Sequence, residues 1–149
     1  MIRWRQPRDD KGIVELVRTQ LVPISPWRHP KDGRLHAEIV KRLRRGETLV
    51  AVMSGKGPPA GFLHLEYRQP VLFVDLLAVD SRYQNRRLGS ELMRYAEWNG
   101  IRRGCTVSRV FVDESNARGL RFYHRLGYYT TRHSPALKIV EVEKPLFLL

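Results

Sequence analysis

The sequence has little cysteine, no long apolar run and few acidic residues beside its basic ones. Cys105 is the only cysteine among 149 residues, so no internal disulfide can form, and no cluster of cysteine and histidine has zinc spacing. No stretch approaches the ~20 apolar residues of a membrane helix, and the N-terminus lacks the apolar core of a signal peptide. We therefore expect a cytoplasmic protein without a membrane segment or a metal.

The excess of positive charge narrows the choice of partners. The chain carries 27 Lys and Arg against 15 Asp and Glu, a net charge of +12, which favours a nucleotide cofactor, nucleic acid or an acidic protein. Because the basic residues are spread from Arg3 to Lys144 and are not interleaved with aromatics, nucleic acid is the less expected partner. Length and composition, with 42% hydrophobic and 28% charged residues, predict one folded domain over residues 1–149.

The stretch 71–100 is the most informative part of the chain. Residues 71–79 are Val, Leu, Phe and Ala interrupted by Asp75, a density of β-branched and aromatic residues that predicts a strand buried on both faces. After a polar turn over residues 80–87, apolar residues recur at helical spacing from Leu88 to Ala96. A strand therefore leads into a helix through a basic turn.

The start of this helix is a candidate anion site. The first backbone N–H groups of a helix have no partner within it and carry about half a positive charge. Gly89 permits close approach to those amides, and Arg82, Arg86 and Arg87 add full charges beside them. The turn predicts a phosphate or pyrophosphate site, with an ordinary crossover through a solvated arginine turn as the alternative.

The chain as a whole alternates strands and helices in the order β-α-α-β-β-β-α-β-α-β-β. Because a helix connects them, the strand at Val107–Asp113 should lie parallel to the strand at 71–79. The other predicted elements are a strand Met1–Gln6, a helix capped by Asp9 or Asp10, a proline-rich loop Val22–Pro30, a helix Asp32–Arg45, a hairpin of Glu47–Met53 and Ala60–Tyr67, a helix Asn116–Leu126 and a last hairpin of Tyr128–Thr131 and Leu137–Val142.

Two segments of this pattern resemble motifs of the GCN5-related N-acetyltransferase (GNAT) superfamily. Residues 84–89, Gln-Asn-Arg-Arg-Leu-Gly, resemble its acetyl-CoA motif Q/R-x-x-G-x-G/A, although Arg87 stands where the first glycine is usual. Residues 116–128 resemble its segment N-x-x-A-x-x-F-Y-x-x-x-G-F, with Gly119 in the alanine place and Tyr128 for the last Phe. Since arginine reaches positive φ less readily than glycine, we expect a helical conformation at Arg87 that any residue can adopt.

The resemblance covers the element order from end to end and implies both a fold and an activity. The fold is α+β with α/β/α layers: a mixed, mostly antiparallel sheet of about six to seven strands with a splayed parallel pair, flanked by about four helices. The activity is transfer of an acetyl group from acetyl-CoA to a primary amine by direct attack in a ternary complex. The acceptor, a small amine or a protein amine, stays open. The alternative is a basic nucleic-acid or acidic-protein binding module on a transferase-like scaffold without catalysis.

The resemblance also implies which residues bind the cofactor. The backbone of Leu77 would polarise the thioester carbonyl, that of Val79 would hold the pantetheine arm, and the amides of residues 86–90 would bind the pyrophosphate. Asn116 would either reach the cofactor or cap its helix, and the two roles are weighed evenly. The complete implied set is Leu77, Ala78, Val79, Gln84, Arg86, Arg87, Leu88, Gly89, Ser90 and Asn116.

The catalytic candidates are less determined. Tyr123 is expected to protonate the departing thiolate, against the alternative of an aromatic core residue. Asp75 is expected to be the base if burial raises its pKa, against a salt bridge to an arginine. Glu66 is its rival and His64 a weaker one, and a chain of water molecules is the remaining alternative.

The sequence says least about the acceptor site and the oligomeric state. The resemblance places Trp27 and His29, in the proline-rich loop, at the wall of the acceptor site. The apolar end Leu146–Leu149 suits either a strand or an interface patch, so a homodimer is left open.

Overall fold

The computed structural model describes residues 1–24 and 33–147. Trp27 and His29, the predicted acceptor wall, lie outside the described residues. The described strands and α-helices follow the predicted order. They are β1 (Ile2–Trp4), α1 (Asp10–Leu16), α2 (Leu35–Leu43), β2 (Glu47–Val52), β3 (Pro59–Arg68), β4 (Val71–Val79), α3 (Leu88–Arg102), β5 (Val107–Asp113), α4 (Ala117–Arg125), β6 (Tyr129–Ser134) and β7 (Ile139–Pro145).

The seven strands form one mixed sheet in the order β1-β2-β3-β4-β5-β7-β6. The pairs β1–β2, β2–β3, β5–β7 and β6–β7 are antiparallel, whereas β4 and β5 are parallel. This parallel pair is the one that the helical crossover predicted, because a chain that leaves one end of a strand through a helix returns to the other end. The strands, the parallel pair and the four helices confirm the predicted fold class.

The chain forms two compact units. Unit 1 comprises Met1–Leu65 and Leu76–Ala96, and unit 2 comprises Glu66–Asp75 and Glu97–Leu149. The expectation of a single domain over residues 1–149 stays a prediction.

The core of unit 1 is built from helices and strands with matching apolar faces. Helix α1 continues into a π-helical turn over Val17–Leu21, and α2 has its apolar residues at three- and four-residue spacing. Each fully buried aliphatic side chain contributes about 1.5–3 kcal/mol to folding. The core consists of Ile13, Val14, Leu16, Val17, Val22, Leu35, Ile39, Leu43, Val50, Val52, Phe62, Leu76 and Ala78.

Two ion pairs fasten β1 to the start of α1. Arg3 donates two hydrogen bonds to the buried Asp9 carboxylate, at 2.8 and 3.0 Å, and Arg5 donates two to Asp10, at 2.6 and 2.9 Å. Asp9 also accepts the Gln6 backbone N–H at 2.7 Å. Burial opposes ionisation of Asp9, but the bonds from Arg3 and Gln6, with the nearby charges, outweigh it and lower the pKa of this carboxyl. Asp9 thus stands at the N-cap position of α1 without a side-chain bond to that helix, and its carboxylate forms half of a buried ion pair instead.

Unit 2 is organised by β5. Its residues alternate, with Ser108, Val110 and Val112 buried. The last hairpin is longer than predicted, since β6 continues to Ser134 and β7 to Pro145. Beyond it Leu146 is buried and donates its N–H to the Thr106 carbonyl at 2.8 Å.

The burial of β4 differs from the prediction. Its even-numbered residues, Leu72, Val74, Leu76 and Ala78, are buried, but the odd-numbered ones are only partly buried. The expectation of a strand buried on both faces is therefore wrong for one face. A run of apolar side chains does not reveal whether its second face is fully covered, because apolar atoms are common at protein surfaces as well.

Candidate functional site

The turn between β4 and α3 begins with a rigid aspartate turn. The Asp80 backbone N–H donates to the Ala60 carbonyl at 2.8 Å, which fixes the end of β4 to β3. The Asp80 side chain accepts the Arg82 backbone N–H at 2.9 Å and pairs with its guanidinium at 3.0 Å. These side-chain and backbone hydrogen bonds from Arg82 lower the pKa of Asp80. Arg82 is thus engaged with a carboxylate and is not the principal cation of the turn.

Two other arginines of the turn keep their charge available. The guanidinium of Arg86 lies 5.8 Å from the centre of the Tyr83 ring, beside that of Arg82 at 5.5 Å. Arg86 and Arg87 are both exposed, and neither pairs with a carboxylate within the described part of the chain. The exposed positive charge of the turn therefore resides on these two side chains.

Gln84 fastens the turn from inside. Its side-chain amide donates to the Val79 carbonyl at 2.9 Å and to Gln20 Oε1 at 3.0 Å. Since both donors of the amide are used within unit 1, this side chain holds the turn in place and leaves its own oxygen as the atom that can face a ligand. Gln20 was not recognised from sequence, because nothing in the local pattern signals a contact between residues 20 and 84.

The conformation at Arg87 contradicts the sequence-based expectation. Arg87 has a φ of 64° and Asn85 a φ of 67°, so both lie in the left-handed region and not in the helical one. The family's usual glycine is thus replaced by an arginine that adopts the conformation a glycine would favour. Alternation of right- and left-handed residues directs successive amides to one side and forms a concavity that binds anions.

The amides that open α3 follow the left-handed Arg87 directly. The first helical hydrogen bond runs from Glu91 N–H to the Arg87 carbonyl at 3.0 Å. The N–H groups of Leu88, Gly89 and Ser90 precede it and have no hydrogen-bond partner among residues 1–24 and 33–147. Unpaired helical amides beside two arginine side chains are the arrangement that binds a phosphate or a pyrophosphate.

The end of β4 offers backbone groups on its other edge. The Ala78 carbonyl is directed toward β3, since a methyl group added at Gly61 would lie 3.1 Å from its oxygen, and the Asp80 amide also bonds to β3. Backbone groups alternate along a strand, so Leu77 and Val79 direct theirs to the opposite edge.

That edge is not paired along its whole length. The parallel register joins Val71–Val74 to Val107–Val110 and, in the described residues, includes neither Leu77 nor Val79. The Gln84 side chain donates its hydrogen bond to the Val79 carbonyl. The groups of this edge that can bind an extended ligand are therefore the backbone N–H groups of Leu77 and Val79. The turn, the amides and this edge together fit a group with a pyrophosphate and an amide-containing arm.

Asn116 in unit 2 caps its helix. Its side-chain oxygen accepts the Gly119 N–H at 2.9 Å at the start of α4, the capping role weighed in the sequence. A methyl group added at Gly119 would lie 2.4 Å from Asn116 Nδ2, so glycine in the usual alanine place allows this side-chain position. The Asn116 amide nitrogen remains for a second partner.

Tyr123 is a buried residue of α4 with 7% of its surface exposed. Its ring meets those of Phe122 and Tyr128 edge to face, at 5.1 and 5.6 Å between centres. Burial raises the pKa of the Tyr123 hydroxyl above its ordinary value, so this phenol stays protonated at neutral pH. The ring is therefore packed as a core residue, and the role of its hydroxyl as a general acid stays a prediction.

Tyr128 joins a polar network that the sequence did not signal. Its hydroxyl donates to Glu97 at 2.8 Å and lies 2.6 Å from the fully buried Ser108 hydroxyl, while Lys144 pairs with Glu97 at 2.9 Å. Burial, and then the charge of Glu97, raise the pKa of Tyr128. The network accounts for a tyrosine at the position where the family segment ends in phenylalanine. It also holds the Tyr128 ring, which packs against Tyr123.

The candidate bases differ in burial. Asp75 is only partly buried, whereas the prediction assumed a buried carboxylate. Glu66 is partly buried and has Arg68 at 3.9 Å. His64 is fully buried and its Nδ1 lies 2.8 Å from the Thr48 hydroxyl, a placement that suits a core residue. Among residues 1–24 and 33–147, no group of three metal-ligating side chains is present.

The structure thus divides the predicted site residues between the units. Unit 1 brings together Leu77, Ala78 and Val79 with the turn and helix residues 84–90. Unit 2 contains Glu66, Asp75, Asn116 and Tyr123. No helix of the described chain has the length and apolar character that crossing a membrane requires.

Comparisons with known proteins bear on the family and the fold. Residues 12–128 match the model of the acetyltransferase (GNAT) family. Ard1 from Thermoplasma volcanium is 19% identical, with 99% of this chain and 98% of that one covered and a TM-score of 0.82. The ribosomal-protein-S18-alanine N-acetyltransferase from Escherichia coli is 18% identical, with 100% and 95% covered and a TM-score of 0.79. The PaiA N-acetyltransferase from Thermoplasma acidophilum, solved with coenzyme A, is 19% identical, with 97% and 99% covered and a TM-score of 0.76. No curated protein sequence matches the chain.

Proposed function

Since the chain belongs to the acetyltransferase (GNAT) family, whose members take their acetyl group from acetyl-CoA, we propose that it transfers this group to a primary amine by direct attack in a ternary complex. The observation that carries the proposal is the anion-binding concavity at the start of α3. It combines a left-handed Arg87, the unpaired amides of residues 88–90 and the exposed Arg86 and Arg87 side chains.

The concavity would bind the pyrophosphate of the cofactor. Hydrogen bonds from helical amides to phosphate oxygens are charge-assisted, and the two arginines add attraction that salt screens. Gln84 supports the turn through Val79 and Gln20, so the amides are held in position before the cofactor arrives. The Asn116 amide nitrogen is proposed as a further contact.

The free edge of β4 would hold the pantetheine arm. The Leu77 amide, directed to that edge, is proposed to donate to the thioester carbonyl as negative charge develops on its oxygen. The Val79 amide is proposed to bind the arm itself. Acetyl-CoA supplies the activated acetyl group, and the protein supplies its orientation.

Tyr123 is proposed to protonate the departing thiolate. The phenol is protonated at neutral pH and so has a proton to give, although the burial that raises its pKa also makes it a weaker acid toward the thiolate. A covalent acetyl-enzyme is not part of the proposal, because Cys105 is buried, burial raises the pKa of its thiol, and no base is paired with it in the described chain.

Removal of the proton from the amine is proposed to involve Asp75 or Glu66, directly or through water. Replacement of Asp75 with Asn and of Glu66 with Gln distinguishes the two, since the variant that lacks the base loses the acid limb of the pH–rate profile. Retention of that limb in both variants would leave a water chain as the route.

The acceptor is proposed as a primary amine on a small molecule or on a protein. Solved relatives include an aminoglycoside 6'-N-acetyltransferase and the ribosomal-protein acetyltransferase named above, so the fold serves both classes. We propose that Trp27 and His29 form part of the wall of the acceptor site. A homodimer and a location in the cytoplasm are proposed as well.

Calorimetric titration with acetyl-CoA over increasing salt tests the proposal. We expect micromolar binding, weakened about tenfold in an Arg86→Gln/Arg87→Gln variant and unchanged in Arg44→Gln/Arg45→Gln, which removes the same charge from exposed positions beyond α2. Duplex DNA should bind only weakly and with a steep salt dependence. Tight DNA binding without acetyl-CoA binding would favour the non-catalytic binding module instead.

A further inference from the structure

Unit 1 contains a second positively charged site. It is a cavity whose lining residues are distant in sequence from the turn that opens α3. It is lined by residues drawn from 8–15, around the start of α1, and from 56–59, at the tip of the hairpin between β2 and β3. Its volume is about 490 Å³, within the range of small-molecule sites. None of its lining residues belongs to the proposed acetyl-CoA site.

The two carboxylates of this cavity are already neutralised. Asp9 accepts two hydrogen bonds from Arg3, at 2.8 and 3.0 Å, and Glu15 pairs with Arg18 at 2.6 Å. Neither carboxylate is therefore available to balance the cations that share the cavity.

The three cations of the cavity are not neutralised. Arg8, Lys11 and Lys56 are all exposed, and none forms an ion pair with a carboxylate in the described chain. Arg8 affects Asp9 only through its charge. Three like charges around one cavity repel one another, and a bound anion would relieve that repulsion.

The wall between helix and hairpin is closely packed. A methyl group added at Gly12 would lie 2.7 Å from Pro59 Cδ, so α1 and the hairpin meet where only glycine fits. Pro58 and Pro59 restrict the backbone of the facing wall. The cavity is thus formed by a fixed contact and does not depend on a ligand to assemble it.

We propose that this cavity is a second binding site, for a small polyanion that carries two or more phosphate or carboxylate groups. A single inorganic ion would leave most of the volume filled with water, since one water molecule occupies about 30 Å³. Three separate cations match a ligand whose charges are spread over several groups. The proposal does not rest on the proposed acetyltransferase function.

The test is a calorimetric titration of the full chain, saturated with coenzyme A, with tripolyphosphate and with citrate. We expect one of these probes to bind the wild-type chain and to bind an Arg8→Gln/Lys11→Gln/Lys56→Gln variant at least tenfold more weakly. The control variant, Arg44→Gln/Arg45→Gln/Arg125→Gln, loses the same charge at other exposed positions and should keep the wild-type affinity. The better probe identifies the ligand as a phosphate or a carboxylate compound.

Three outcomes would overturn the proposal. They are failure of both probes to bind the wild-type chain, equal weakening in the two variants, and tighter binding of a poly-glutamate peptide than of either probe at the cavity. Circular dichroism of each variant establishes that it is folded, and Lys56→Glu alone, at the hairpin tip, provides a second variant expected to weaken binding. Loss of coenzyme A binding with the cavity effect retained would count against the acetyltransferase proposal alone.

Discussion

Arg87 combines an unfavourable backbone conformation with a proposed part in anion binding. A side chain with a Cβ atom in the left-handed region costs about 1–2 kcal/mol relative to the right-handed one. Here the same φ of 64° directs the amides that follow toward one concavity, and the side chain adds a charge beside it. Backbone strain of this kind is concentrated at functional sites, where surrounding contacts such as those of Gln84 maintain it.

Replacement of Arg87 with Gly should stabilise the fold and weaken cofactor binding. Relief of the backbone strain stabilises the folded state, and the larger entropy of glycine in the unfolded chain offsets part of this gain. The net effect should raise the free energy of unfolding by about 0.5–1 kcal/mol. Thermal unfolding followed by circular dichroism should then show a Tm about 2 °C higher. Arg86→Gly is the matched control, because residue 86 has no positive φ and should gain nothing. A gain in both variants would mean that charge repulsion, and not backbone strain, is relieved.

Replacement of Tyr123 with Phe should reduce kcat by at least ~100-fold, because the departing thiolate loses its proton donor. The acetyl-CoA Kd should change less than about twofold, since the ring and its packing against Tyr128 remain. Steady-state kinetics and calorimetry measure the two quantities. Because the pKa of the phenol is raised, no fall in activity up to about pH 9 should depend on this residue. Tyr129→Phe, at an exposed position, is the control, and an unchanged kcat in Tyr123→Phe would remove Tyr123 from its role.

At the scale of elements, the two ion pairs between β1 and the start of α1 differ in burial. Asp9→Asn leaves Arg3 without its partner and should destabilise the fold by about 3 kcal/mol at pH 7, measured by urea unfolding. Asp10→Asn, which breaks the more exposed pair with Arg5, should cost under about 1 kcal/mol. Similar losses in both variants would show that Asp9 has no special part in this contact.

The same carboxylate predicts a pH dependence. The pKa of Asp9 is lower in the folded protein than its ordinary value of 3.8, so its stabilisation is fully present above that value. It is lost as the pH falls below 3.8 through the folded pKa. Wild type and Asp9→Asn should therefore converge in stability below pH 3.8, and a constant difference between them would contradict the assignment.

The network around Tyr128 makes a second prediction for an element. Tyr128→Phe leaves the fully buried Ser108 hydroxyl without this partner and should cost about 1–3 kcal/mol, although the variant restores the residue usual in the family segment. Tyr129→Phe, one residue along, should change the free energy of unfolding by less than about 0.5 kcal/mol. Guanidinium unfolding of both variants measures the difference. Equal stability of Tyr128→Phe and wild type would show that the network contributes nothing.

Local patterns predicted the elements better than the contacts between them. The element order and the parallel β4–β5 pair followed from periodicity and connection, because both depend on neighbouring residues. The left-handed Arg87 could not be predicted, since sequence shows that arginine disfavours that region but not that Gln84 and its partners hold it there. The bond between Gln84 and Gln20 joins residues 64 apart, and the partly exposed face of β4 looks the same in sequence as a buried one.

At the scale of the whole molecule, the net charge of +12 says more about binding partners once each acidic residue is matched with the basic residue that it pairs with. In unit 1, Asp9, Asp10, Glu15 and Asp80 each pair with an arginine, whereas the cations of the α3 turn and of the second cavity are exposed and form no ion pair within the described residues. Charge alone admitted nucleic acid, a cofactor or an acidic protein. The backbone geometry beside Arg86 and Arg87 is what favours a pyrophosphate.

The burial of Cys105 bears on how the enzyme can be assayed. Its side chain is 3% exposed, its amide donates to the Gly100 carbonyl at 2.8 Å, and burial, against the charge of Arg103, raises the pKa of its thiol. A chromogenic disulfide reagent should therefore report the free thiol of released coenzyme A with almost no background from the folded protein. The same reagent, added without substrate, becomes a probe of unfolding, because colour from Cys105 appears only as its surroundings open.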